Sequence, residues 1–362
     1  MDFSKHKEIL MKTIVSNLSV YAVMHAIIDL ISIAVLFSVL KNQIGSVAEL
    51  INLVILYNVI AFGLQAIIGY ATDYFKSPRA ILLSGCFLTA VSAIGFSSFP
   101  VAAVVLAGLG NALFHVGAGS ICLNLTPKKA SAPGIFVATG AVGVLAGTVL
   151  GKSGQFIAWP LILTLIILCF FVLVIKKPDM NYKKEEILNN KVNYFQIILI
   201  LILLSIAIRS LVGVAIVFPW KTDMGLLIAL TLAVVLGKGL GGLLADKFGW
   251  LKVAVGALVL SIPFLVFGAN LPFIAIVGMF LFNITMPVTL VAISNILPGR
   301  PGFAFGLTCL ALVLGSLPIY IYYGVSQFLS SELSILIIIL ISSVALFYGL
   351  RTYFMKYLKK TA

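Results

Sequence analysis

Runs of about twenty apolar residues, long enough to cross the hydrocarbon core of a bilayer, follow one another along almost the whole 362-residue chain. Inside a bilayer the backbone has to satisfy its own hydrogen bonds, so runs of this length form helices. Twelve spans are expected, at 13–40, 47–71, 79–97, 99–122, 131–151, 154–176, 194–217, 222–245, 250–269, 272–296, 301–324 and 331–355. Composition agrees: 62% hydrophobic residues, 10% charged residues and a mean hydropathy of +1.19 exclude a soluble domain, which could not turn so many apolar side chains inward. The expectation is an all-α polytopic membrane protein.

A formal net charge of +13 could suggest nucleic acid, but the charges sit in the wrong places for it. Of the 24 Lys and Arg, nineteen fall in loops on the side of the N-terminus. Three (Lys41, Lys152, Lys221) fall on the opposite side, and Arg209 and Lys238 lie within spans. That split predicts that both termini face the cytoplasm, in a plasma (inner) membrane, with no nucleic-acid partner. The short polar N-terminus is followed by a span too long for a signal-peptide core, so no cleavable leader is expected. Cys86, Cys122, Cys169 and Cys309 are far apart within apolar runs and read as small buried hydrophobes, with neither redox nor metal spacing.

The polar loops carry a repeat. GYATDYFKSPR at Gly69–Arg79 and GLLADKFGWLK at Gly242–Lys252 place a glycine, an aspartate four residues on and basic residues between two spans. Gly69 and Gly242 are 173 residues apart, as are Asp73 and Asp246, and as are Gln65 and Lys238. Asn111 and Asn283 are 172 apart, and Pro127 and Pro298 are 171 apart, each proline loop leading into a glycine-containing helix. Apolar sequences match by chance, but this near-constant register predicts a duplicated six-helix unit. The halves are 1–176 and 194–362, joined by a polar, lysine-rich cytoplasmic linker at 177–193.

Gly242, Asp246, Lys247 and Gly249 resemble the loop signature of the major facilitator superfamily. The first copy keeps Gly69, Asp73 and Arg79, with Tyr74 and Lys76 where that family has a basic residue and a glycine. The resemblance covers essentially the whole chain. It implies two pseudo-symmetric six-helix bundles, a secondary transporter that works as a monomer, and no cofactor or enzymatic activity. It also implies that each signature aspartate sits near a helix N-terminus of its own half, where macrodipole and free amides favour a carboxylate, and helps close the cytoplasmic side. Tyr74 and Lys76 predict a weaker first-half latch. Within the superfamily GNALFHVGAG, through Phe114 and His115, is similar to the fosmidomycin-resistance type of exporter.

Ionisable groups at bilayer depth cost about 2.5–3.5 kcal/mol each on insertion scales and line wet cavities. Here they are few: His25 and Asp29 in the first span, His115 in the fourth, Arg209 in the seventh and Lys238 in the eighth. The resemblance places all five on helices able to line a central cavity. His25 and Asp29 share a helix face, as do Asn111 and His115. Asp29, with His25 as partner, is the expected proton-coupling site, against the alternative of a structural Asp29–Arg209 ion pair. His115, Asn111, Arg209, Lys238, Gln65 and Asn283 are expected to contact substrate, and Asn58, Thr139, Tyr320, Tyr322 and Tyr323 are further contacts. His115 could equally just satisfy Asn111 or a backbone carbonyl. A metal site on the two histidines and Asp29 would need two helices to converge with outer support, and none is expected. Arg209 and Lys238 outnumber the single deep acid, so a small organic anion is the simplest countercharge.

Glycines gather in the fifth span (Gly140, Gly143, Gly147, Gly151) and the eighth (Gly237, Gly239, Gly241, Gly242), which predicts close helix packing there. The fifth-span run partly resembles an antiporter motif but lacks its Gly-Pro step. The function expected is proton-coupled export of a small organic solute by alternating access, an antiporter, with a proton-coupled importer of organic anions as the alternative. A lipid flippase or membrane-embedded enzyme ranks below both. No zincin motif, nucleophile elbow or phosphate-binding loop occurs.

Overall fold

The computed structural model describes residues 3–42, 46–182, 192–321 and 328–358. Tyr322 and Tyr323, positions 183–191 of the expected linker, and Lys359 and Lys360 lie outside the described residues. Every regular element among those described is helical. The long helices are α1 (Phe3–Asn42), α4 (Pro78–Gly95), α5 (Pro100–Leu125), α6 (Ser131–Ser153), α8 (Val192–Ala215), α9 (Met224–Phe248), α13 (Pro301–Ile321) and α14 (Glu332–Thr352). Two apolar helices are shorter, α7 (Ala158–Val174) and α10 (Trp250–Val266).

Two expected spans are interrupted. The second is α2 (Val47–Asn58), a π-helical segment (Val59–Gly63) and α3 (Gln65–Phe75). The tenth is α11 (Pro272–Asn283) and α12 (Thr285–Ile296), broken at Ile284. Pro287 has no N–H for the carbonyl one turn back, which accounts for the second break. Capping chemistry sets other ends. Prolines open α4, α5 and α11, where a missing N–H costs nothing. Ser46 and Glu49 form a reciprocal capping box at α2, and Asp223 accepts from the Leu226 amide at α9.

The chain forms two compact units. One comprises Met1–Pro127, Ile135–Tyr182 and Arg300–Gly306. The other comprises Lys128–Gly134, Lys183–Gly299 and Leu307–Ala362. In the first, α5 packs on α4 and α1. A Cβ on Gly110 would lie 2.7 Å from the Thr89 nitrogen, and one on Gly117 2.6 Å from that of Leu82, so the α4–α5 contact has no room for a side chain at either point. The fifth-span glycines seat α6 on α1: a Cβ on Gly147 would lie 2.5 Å from the Leu30 carbonyl oxygen, and one on Gly151 2.7 Å from Phe37 Cβ. Lipid gives helices no hydrophobic reason to associate, and this close backbone contact supplies the attraction instead. In the second unit Gly237 and Gly241 seat α9 on α11 and the α11–α12 break, and α8 meets α14 through the buried Ser205–Ser342 hydrogen bond of 2.9 Å. Apolar side chains such as Phe170, Leu173 and Val174 point outward, as a lipid-facing surface requires.

Gly147→Val is expected to cost about 1–3 kcal/mol by overpacking the α1–α6 contact. Gly213→Ala, at a position where an added Cβ meets nothing within 4 Å, is expected to leave stability unchanged or raise it. Apparent Tm values of the two variants in one detergent check both.

Candidate functional site

In the first unit α1 and α5 bring four polar side chains together. His25 and Asp29, one turn apart on α1, face Asn111 and His115, one turn apart on α5. Each is buried, the most exposed being Asp29 at 8%. Asn111 Nδ2 donates to Asp29 Oδ1 at 2.7 Å. His25 Nε2 lies 3.2 Å from Asp29 Oδ2, and His115 Nε2 lies 3.6 Å from Oδ1. The two histidine Nε2 atoms are 2.7 Å apart. On the far side of each ring, Nδ1 meets a main-chain carbonyl: Phe136 O at 2.7 Å for His25 and Asn111 O at 2.8 Å for His115. The Phe136 carbonyl comes from α6, whose Gly140 leaves the space the cluster fills. A Cβ there would lie 2.6 Å from Asp29 Oδ2.

His115 does meet a backbone carbonyl, but its other nitrogen joins His25, so it does more than satisfy Asn111. One ligand atom from each of His25, Asp29 and His115 lies within 4.8 Å of the others, a grouping able to hold a metal ion. Asn111 Oδ1 is buried without a hydrogen-bond partner among the described residues.

Arg209, on α8 in the second unit, is 8% exposed. Its Nη1 donates to Thr285 Oγ1 and its Nη2 to Thr289 Oγ1 at 3.0 Å. Both hydroxyls turn their own protons to carbonyls, Phe282 O and Met286 O, so only lone pairs face the guanidinium. Arg209 Nε is buried with no hydrogen-bond partner among the described residues. A guanidinium whose partners among the described residues are neutral oxygens keeps its charge uncompensated by them. Thr285 and Thr289 were not visible as partners from sequence; the only signal was their one-turn spacing across Pro287.

The remaining expected contacts are local. Gln65, fully buried, donates back to Ala61 O at 2.6 Å across the π-helical segment, and its Oε1 has no partner among the described residues. Asn283 donates to Met279 O and Asn58 to Val54 O, both one turn back, and Thr139 donates to Phe136 O. Lys238 and Tyr320 are half-buried. Cys86 and Cys169, far apart in sequence, bring their thiols together between α4 and α7, and both are free cysteines.

The two loop motifs make matching clamps. Asp73 accepts from the amides of Gly302 and Phe303 at 2.9 and 2.8 Å. Asp246 accepts from those of Ala130 and Ser131, both at 2.9 Å. The motif glycines allow the approach: a Cβ on Gly69 would lie 2.5 Å from the Gly302 carbonyl carbon, and one on Gly242 2.7 Å from that of Ala130. Each aspartate thus takes a helix start from the other half of the sequence, α13 for Asp73 and α6 for Asp246. This corrects the expectation of a helix in the same half. The reason is that a helix start behind a proline loop offers free amides, and these are the two starts brought within reach.

The first-half bonds are as short as the second-half ones, so Tyr74 and Lys76 do not lengthen that clamp. Gly249 closes α9 at φ +99°, and its counterpart Lys76 closes α3 in the left-handed region at φ +52°. Trp250 Nε1 adds a third donor to Asp246, at 3.0 Å. Lys247 lies over the Phe248 ring, and Arg79 donates to the Ile175 carbonyl at the end of α7.

Asp73→Ala and Asp246→Ala each orphan two helix-start amides, and each is expected to cost about 1–3 kcal/mol, with the Asn variants milder because one acceptor survives. Lys76→Gly is expected to stabilise by up to about 1 kcal/mol by relieving the left-handed residue. Apparent Tm in a common detergent measures all of these.

No protein-family model matches the sequence, and no curated protein matches it. Solved structures do. The Escherichia coli fucose:proton symporter FucP aligns with a TM-score of 0.68 at 11% identity, over 92% of this chain and 97% of that one. The human organic anion transporter MFSD10 (TETRAN) aligns at 0.64 and 12% identity, over 94% and 99%. A bacterial homologue of the iron transporter ferroportin, in an outward-facing state, aligns at 0.62 and 13% identity, over 96% and 98%. At these identities the likeness concerns architecture: the chain has the twelve-helix fold of major facilitator superfamily transporters.

Proposed function

We propose that this chain is a secondary transporter of the major facilitator superfamily that moves a small organic solute by alternating access, coupled to protons. The observation that carries this reading is the buried Asp29–His25–His115–Asn111 cluster. An acid and two bases at bilayer depth, joined by short hydrogen bonds, are costly unless they work on an ion or solute. Asp29 and His25 are the coupling residues, an acid and a base whose charges depend on each other. Arg209, with its unpartnered Nε, is the residue to receive an anionic group on the solute, and Lys238, Asn111, Gln65 and Asn283 line the route. The clamps of Asp73 and Asp246 are the cytoplasmic contacts that open and re-form in the cycle.

The finer parts rest on sequence. The functional halves are 1–176 and 194–362 about the linker 177–193. The split of basic residues puts both termini in the cytoplasm of a plasma (inner) membrane. Export in exchange for protons follows from the Phe114–His115 resemblance to fosmidomycin-resistance exporters, and a monomer suffices for it. The second reading, a proton-coupled importer of organic anions, is favoured by the uncompensated charge of Arg209. A membrane-embedded enzyme would have no reason to repeat a loop clamp.

A solute screen in proteoliposomes under an imposed pH gradient tests this. Asp29→Asn is expected to abolish gradient-driven accumulation; unchanged uphill transport in that variant removes Asp29 from the coupling role. Arg209→Gln is expected to weaken transport of anionic solutes by about tenfold or more, the loss of one charge-assisted contact. Oriented vesicles separate export from import.

A further inference from the structure

We infer that one proton is shared between His25 Nε2 and His115 Nε2, and that this proton, not one on the Asp29 carboxyl, is the coupling ion. The second half of that statement rests on the transport reading above; the first half does not. Carbonyl oxygens only accept hydrogen bonds. His25 Nδ1, 2.7 Å from Phe136 O, and His115 Nδ1, 2.8 Å from Asn111 O, therefore both carry hydrogen. A neutral imidazole has one N–H, so two neutral rings anchored this way would point bare lone pairs at each other across 2.7 Å. That separation is a hydrogen bond only with a proton in it.

With the proton present, the imidazole pair carries one positive charge beside the Asp29 carboxylate, which lies 3.2 and 3.6 Å from the two Nε2 atoms. Asn111 Nδ2 holds the carboxylate in place at 2.7 Å, and the cluster is neutral as a whole. Moving the proton to Asp29 would restore the lone-pair clash. A shared tetrahedral metal ion would hold the two nitrogens roughly 3.3 Å apart, given metal–nitrogen bonds of about 2.0–2.1 Å. The observed spacing fits the proton.

The other groups around the cluster do not compete for it. From α2 comes the buried Tyr57, a phenol with a proton of its own. From α6 come the Phe136 carbonyl and glycines, and from residues 300–306 the Phe305 ring, 6.5 Å from His115. When the proton leaves to water, two neutral rings and one carboxylate remain, and the rings have to part. His25 is anchored to α6 and His115 to its own helix, so parting them shifts α5 against α1 and α6. Proton occupancy is thereby tied to helix position inside this unit.

The test uses tag-free, full-length protein in nanodiscs with ring-15N histidine, carrying His6→Gln so that two of the three histidines report. At neutral pH, both Nδ1 sites are expected to be protonated, with one strongly deshielded proton coupled to both Nε2 atoms. His115→Gln and His25→Gln are each expected to abolish that signal. A bare Nδ1 on either ring, no shared proton, or stoichiometric Zn2+ or Co2+ binding at the two Nε2 atoms overturns the assignment, whatever transport shows. In vesicles, the protons moved per solute are expected to fall to zero in both variants, and the wild-type ratio in either one overturns the coupling role. A wild-type protein with no proton-driven flux would refute the transport reading while leaving the NMR result to decide where the proton sits.

Discussion

The contact of α6 on α1 is the one on which the rest of the first unit depends. Four glycines remove the side chains that would hold the two backbones apart, and the consequence is chemical as well as mechanical. Only at that distance does the Phe136 carbonyl reach His25 and orient its ring. Only without a Cβ at Gly140 is there volume for the Asp29 carboxylate beside it. In a bilayer, where apolar surface is already solvated by lipid, helix association has to come from close packing and polar contacts. Here the close packing creates the polar site.

A second constraint is that no backbone amide can be left bare at the ends of so many helices. Prolines remove some of the donors at source, and side chains satisfy others. Asp73 and Asp246 accept two amides each, and Arg79 and Asn17 donate to the carbonyls of Ile175 and Lys176 at the end of α7. These bonds join residues far apart in the chain. The loop motifs are therefore cross-links placed where helix ends would otherwise go unsatisfied, which gives a physical reason for glycine and aspartate to recur four residues apart.

The spans were legible because a twenty-residue apolar run has one structural outcome in a membrane. Their interruptions were not. Nothing in NVIAFGLQ at 58–65 marks a π-helical turn, and Pro287 marked the α11–α12 break only as a residue without an N–H. Of the site, one-turn spacing put His25 with Asp29 and Asn111 with His115, since helix geometry alone decides which side chains share a face. What spacing does not encode is which way two helices face each other. It therefore left open the His25–His115 contact, the carbonyl anchors and the threonines beneath Arg209. The partners of the signature aspartates were misjudged for the same reason: an aspartate asks for any free helix start, and the sequence does not say which start arrives.

The two units treat corresponding positions differently. Asn111 crosses from α5 to Asp29 on α1, whereas Asn283, 172 residues later, turns back on its own helix to Met279 O. Gln65 likewise bonds one turn back, and a lysine stands at the matching position 238. The clamps at Asp73 and Asp246 are alike to within a tenth of an ångström, while the buried polar chemistry has nothing in common. One unit holds an acid balanced by two bases, the other a guanidinium balanced by no carboxylate among its hydrogen-bond partners. A purely structural demand would fall equally on both units, as it does at the clamps. The asymmetry is thus greatest around the groups that can exchange a proton or attract an anion, where a demand from outside the chain would act.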